Sequence, residues 1–243
     1  MFDSTGGCTN RREFLRHGGV AGALAGRASA AEPLTSDPST TSGGLRRDAL
    51  DALDEHGPAA GSLSAVDRTW DLSWVKTVGR AKDKALIDAP GVDGWALEIA
   101  QRYLDGCDAV YGRGKHDARV VLNIRTRAIP IPMSDALWAR FALGAEYAVK
   151  DSQTNENATR NPFLARTDAG SLPSLLGRGA IVLVCDFAMG HLATRLATKL
   201  GISADAVHKE LLAGLIPGAI PMPSGMFGLA KAQNAGCAFI STT

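Results

Sequence analysis

The stretch GRGAIVLVCDFAMGHLATRLATKLG, residues 177–201, decides the fold. From Ala180 to Val184 it is a continuous apolar run rich in β-branched residues. A run of that length and composition reads as a strand buried on both faces. It stops at Cys185, Asp186 follows, and a helical spacing of apolar residues then continues to a stop at Gly201. A doubly buried strand leading straight into a helix is half of the unit from which helix-covered parallel sheets are built.

Outward from this stretch the same alternation recurs. KALIDAP (84–90) reads as a short strand ending at Pro90, and ARVVLNIR (118–125) as a second apolar strand. Between them GWALEIAQRYLDG (94–106) spaces Leu97, Ala100, Tyr103 and Leu104 along one side of a helix. AIPIPM is a proline-stiffened loop. Ser134 stands where it can cap a helix over SDALWARFALGAEYAVK (134–150), with Leu137, Trp138, Phe141 and Ala145 on one face. The polar segment 151–162 reads as an exposed insertion. Helices are expected over SLPSLLGRG, SADAVHKELLAG and SGMFGLAKAQNAG, and strands over PGAIPMP and CAFIST. The expected fold class is α/β: three α/β/α layers around a mostly parallel sheet of about five strands, with right-handed crossovers.

The composition is that of a globular protein: 243 residues, 45% hydrophobic, 21% charged, formally +1. A near-neutral chain without a basic stripe leaves no electrostatic footprint for nucleic acid. No apolar run reaches the ~18 residues of a membrane span.

The N-terminus, CTNRREFLRHGGVAGALAGRASAAEP, has paired arginines Arg11 and Arg12, then Phe14, Leu15 and Arg16, a small weakly apolar stretch, and an Ala28-Ser29-Ala30 cleavage pattern. It resembles a twin-arginine signal and implies periplasmic or otherwise exported localisation. The chain divides into a signal peptide (1–30), a Pro/Ser/Thr/Gly-rich flexible linker (31–44), a helical extension (45–79) with two tryptophans four apart, and an α/β domain (80–243). Cleavage removes Cys8 and leaves Cys107, Cys185 and Cys237, so at least one thiol stays unpaired within a monomer.

In doubly covered parallel sheets, ligands collect at the carboxyl ends of the strands. Those ends carry Asp88, Arg125 with Arg127, Cys185 with Asp186, and Ser224 with Gly225. If Asp186 caps the following helix, Cys185 stands just outside its N-terminus, as an exposed thiol. There the positive end of the macrodipole and the unpaired N–H groups favour thiolate, whereas the neighbouring carboxylate opposes it. A small residue closing a buried strand is the other reading of Cys185. Arg125 reads either as a solvated strand end or as support for an anion, and Ser224 as an N-cap. His191 and Arg195, four apart, form a polar helical face.

A bond between Cys185 and Cys237 is not expected. One ends its strand and the other begins its own, about 15 Å apart for a five-residue strand, whereas a disulfide needs Cα atoms within about 7 Å. Walker A, H-E-x-x-H and C-x-x-C patterns are absent. Gly112-Arg113-Gly114 precedes a strand instead of following one, and the histidines are scattered, so neither a dinucleotide cofactor nor a metal is expected.

The strand ARVVLNIR, the segment IPIPMSDALW, the passage GRGAIVLVCDFA and the closing PGAIPMPSG…AQNAGCAF together resemble the DsrE/DsrF-like family. The resemblance spans roughly residues 118–243, and the upstream WDLSWV…KALIDAP region resembles an exported subgroup. It implies a flavodoxin-like α/β/α fold and a sulfur-relay activity in which a cysteine after a central strand carries a persulfide. Cys185 with Ala188 matches the family's Cys-x-x-Ala pattern, although the chain continues Met-Gly-His-Leu where the carriers have Arg-Arg-Gly. On this basis Cys185 is the catalytic candidate, and Arg125, Arg127, Asp186, Ser224 and Gly225 are binding candidates. The implied partners are a sulfur donor or acceptor protein and further copies of the chain, since relatives form trimers or hexamers. The alternative is a binding or assembly protein in which Cys185 is structural.

Overall fold

Five strands form one sheet in the order β4-β3-β2-β1-β5, and every pairing is parallel. The strands are β1 (Asp83–Ala89), β2 (Ala118–Ile124), β3 (Ile181–Cys185), β4 (Ala219–Met222) and β5 (Ala238–Ile240). The structure, a computed structural model, describes residues 69–112, 117–165 and 170–242. The signal, the linker and the helix expected near 45–57 lie outside the described residues.

Side-chain alternation makes the layers. Val120, Leu122, Ile124, Val182 and Val184 enter one core, while Leu86, Val121, Ile181 and Leu183 enter the other. The first core is closed by α2 (Trp95–Tyr111), by the short helices α3 (Asp135–Arg140), α4 (Leu143–Tyr147), α5 (Pro162–Ala165) and α6 (Leu172–Gly177), and by α7 (Asp186–Leu200) and α8 (Ala204–Ala213). The second is closed by α1 (Ser73–Arg80), which buries Trp74 and Val78, and by α9 (Gly225–Asn234), which buries Ala232. The architecture is three-layer α/β/α, consistent with a flavodoxin-like fold. Among the described residues no helix is long and apolar enough to cross a membrane.

Several expectations are corrected. Helix α2 runs through Gly106 to Tyr111, because a glycine inside a helix with negative φ weakens it without ending it. The single helix expected over 134–150 is two, α3 and α4. Between them Ala142 turns left-handed, φ 48°, and Ala145 is exposed instead of facing the core. The break lets Gly144 press against Ala158, where a Cβ would lie 2.1 Å from the carbonyl oxygen.

The segment 151–162 is not exposed throughout, because Ala158 and Asn161 are buried. Asn161 Nδ2 donates to the carbonyls of Ile131 (2.8 Å) and Met133 (2.5 Å), and Trp138 Nε1 donates to that of Pro130 (3.0 Å). The proline loop is buried throughout, and a buried loop must find partners for its carbonyls. These two side chains serve three of them, and the Ile216 N–H serves that of Pro132.

Candidate functional site

Strands β1 to β4 step in one direction across the sheet, and the last connection returns β5 to the far side of β1. The chain leaves β3 into α7 on one face and leaves the adjacent β4 into α9 on the other. Neighbouring strands whose exits diverge to opposite faces define the switch point at which open α/β sheets bind ligands. Here it lies between Cys185 and Met222, which are register partners. The two exits touch, with the Phe187 amide donating to the Pro223 carbonyl at 3.3 Å.

Cys185 is itself the N-cap of α7. Its Sγ accepts the Ala188 N–H at 3.3 Å, and Asp186 is the first helical residue. The helix therefore begins one residue earlier than expected, and the sulfur fills the place where serine or aspartate oxygen usually stands. The residue is 5% exposed, which corrects the expectation of an open thiol. An N–H pointing at sulfur from the first turn of a fifteen-residue helix is suited to a negative charge there.

Beside it the strand ends are tied together. Arg125 Nε donates to Asp88 Oδ1 at 2.8 Å and Nη2 to Oδ2 at 2.5 Å, a two-point pair across β1 and β2. Asn123 Nδ2 adds a bond to Oδ1 at 3.1 Å, and Thr242 Oγ1, beyond β5, donates to the Asp88 carbonyl at 2.8 Å. Asp88 and Asn123 are buried, so the carboxylate depends on these donors. The hydrogen bonds to Asp88 raise the Arg125 pKa above that of free arginine against the cost of burial, and charge on Cys185 acts in the same direction. The guanidinium is thus within electrostatic reach of the sulfur.

Helix α9 closes the site from the second face. Ser224 is its N-cap, its Oγ accepting the Phe227 N–H at 3.2 Å, which is the capping role expected of it. Gly225 packs on Arg125: a Cβ there would lie 3.0 Å from Arg125 Cβ. Gly228 meets Asn123, with 2.9 Å from an ideal Cβ to Oδ1. Arg127 stands apart, in a 3-10 turn, with its guanidinium over the Tyr147 ring at 5.5 Å. Asp88, Arg125, Cys185, Ser224 and Gly225 therefore share one rim, and Arg127 faces the neighbouring α4.

Asp186 turns to α8, where its Oδ1 lies 3.0 Å from His208 Nε2. Both side chains are largely buried, at 20% and 11% exposure. Asn123, His208 and Thr242 were not singled out from the sequence. His208 had a signal: with Ala204, Val207 and Leu211 it occupies the apolar stripe of its helix, an unusual place for a polar group.

The other two thiols lie elsewhere. Cys107, half-buried on α2, lies beside Tyr103, and burial pushes its pKa up. Cys237, immediately before β5, is buried in the second core and pushed up to about 11 by burial. All three described cysteines are free, and Cys185 and Cys237 occupy opposite ends of the sheet and opposite cores. No cluster of three or more His, Cys, Asp or Glu side chains able to hold a metal occurs among the described residues. No protein-family model matches this chain, and no curated protein sequence matches it.

Proposed function

We propose that this chain is an exported DsrE-like protein that carries sulfane sulfur on Cys185. The observation that carries the reading is the placement of the Cys185 sulfur: it caps α7 at the switch point and accepts the Ala188 N–H, beside Arg125. In the step envisaged, the Cys185 thiolate attacks the terminal sulfur of a donor persulfide. The new Cys185 S–S bond forms as the donor's S–S bond breaks, and the donor leaves as a thiolate. No outside oxidant is consumed. A persulfide is an anion at neutral pH, and the first-turn N–H groups of α7 with Arg125 are the groups that favour one.

A low exposure of the sulfur selects a small donor, or one whose docking parts the touching Phe187 and Pro223 backbone. Phe187 and Met226, exposed at the starts of α7 and α9, give such a donor apolar surface to meet. That same burial, 5% exposure within an apolar core, favours the second reading, a binding or assembly protein in which Cys185 is structural.

Incubation of the purified protein with a polysulfide, followed by intact and peptide mass spectrometry, separates the two. Gain of one sulfur atom on Cys185, reversed by dithiothreitol and missing in Cys185→Ser, is the result expected of a carrier. An unmodified Cys185 under conditions that persulfidate a free thiol would leave only the structural role.

A further inference from the structure

The carboxylate next to the sulfur poses a problem for the proposed chemistry. Asp186 follows Cys185 directly, and a full negative charge at that distance disfavours a second one on the thiol. The fold answers with His208. Reaching from α8 into the start of α7, its Nε2 lies 3.0 Å from Asp186 Oδ1, and the histidine is buried. It is also a polar group spent on the apolar stripe of α8, between Val207 and Leu211, where a leucine would pack without penalty.

We propose that His208 is a positioning residue for the Cys185 thiol: it holds the Asp186 carboxylate toward α8 and offsets its charge beside the sulfur. The inference rests on the proposed sulfur chemistry for its purpose, but the charge coupling exists whether or not a sulfur atom is ever transferred. Positive charge on His208 opposes the Asp186 charge, so the sulfur at the helix N-terminus meets less of it.

Other charges on the packed elements have their own partners or face solvent. Arg125 pairs with Asp88, Arg195 and Lys199 pair with Glu146, and Glu210 pairs with Arg140. Within α7, His191 packs edge-on against the Phe187 ring, and Asp205 and Lys209 are exposed positions of α8. Lys231 of α9 lies over Phe227, and Arg127 lies over Tyr147.

The test is a pH titration of thiolate absorbance in the ultraviolet, taken as the difference from Cys185→Ser so that the other cysteines and the tyrosines cancel. It needs no reagent to reach the buried sulfur. His208→Gln keeps a hydrogen-bond donor for Asp186 but no charge, and is expected to move thiolate formation at Cys185 to higher pH by about one unit. Asp186→Asn is expected to move it lower. In the double variant the His208 effect should vanish, because the charge it offsets is gone. A histidine serving only to pack α8 would leave the Cys185 curve in place, or shift it equally with and without Asp186, and either result overturns the proposal. The polysulfide experiment reports separately: a coupled titration without persulfide removes the carrier reading and keeps the pair, and persulfide without coupling does the reverse.

Discussion

At the amino end of the sheet Cys107 and Cys237 sit near Tyr103, Asp83 and Lys84, and burial raises the pKa of both thiols and of Tyr103. At the carboxyl end Cys185 is as buried as Cys237, yet it meets a helix N-terminus, a guanidinium and a histidine–aspartate pair. Burial alone thus says little about what a thiol is for. Strand polarity says more: in a parallel sheet every strand delivers its carboxyl end, and the following helix its N-terminus, to the same rim. Amide donors collect there, and the opposite end receives only helix C-termini and turns.

The largest expected contrast between the two ends is in their ion pairs. Asp88→Ala leaves Arg125 partly buried without its partner and should cost about 3 kcal/mol in urea denaturation. Arg178→Ala, which breaks the bonds to Asp105 and Asp108 over the amino end, should cost less than about 1 kcal/mol, because the carboxylates left behind, 52% and 32% exposed, can turn to water. Equal losses would remove the distinction between a tied rim and a solvated one.

Glycines sharpen it next. Gly228→Ala drives a methyl to 2.9 Å from Asn123 Oδ1 and 3.2 Å from Leu183 Cδ1, and should destabilise by about 1–3 kcal/mol. Gly106→Ala, inside α2 with open space around it, should stabilise by up to about 1 kcal/mol. Thermal melts of the two variants should therefore move in opposite directions.

The smallest effects concern the thiols themselves. Cys185→Ala removes the cap of α7 and should cost about 0.5–1 kcal/mol, and Cys185→Ser, which keeps an acceptor, should cost less. For Cys237 the sign follows from its raised pKa. The unfolded chain loses this thiol proton near its ordinary value of 9.0 and the folded chain near 11, so stability is complete below 9.0 and declines as pH rises toward about 11. Cys237→Ala should flatten that part of a stability–pH curve, whereas a curve unchanged by the substitution would show that burial does not hold the proton.

Most of the fold was legible because strand and helix periods are strong in this chain. The runs Ala180 to Val184 and Ala118 to Ile124 became β3 and β2 with little change of boundary. Where reading failed, distant contacts had overridden local pattern. The left-handed Ala142 depends on Gly144 meeting Ala158, and the buried proline loop depends on Asn161, some thirty residues away. The rim was legible from polarity alone, and Asp88, Arg125, Cys185 and Ser224 do meet there. Two details were not. Which helical position the sulfur holds depends on one hydrogen bond, and His208, which pairs with Asp186, lies on another helix, 22 residues away.

The most direct test of the central claim compares the described cysteines within one sample. Native protein with Cys8 replaced by serine is exposed to a small polysulfide at neutral pH, and persulfide occupancy is read at each site by mass spectrometry. The account predicts that sulfur accumulates first and most on Cys185, while Cys107, though more exposed, and Cys237 lag behind. Occupancy that follows exposure, with Cys107 ahead and Cys185 unmodified, would contradict it.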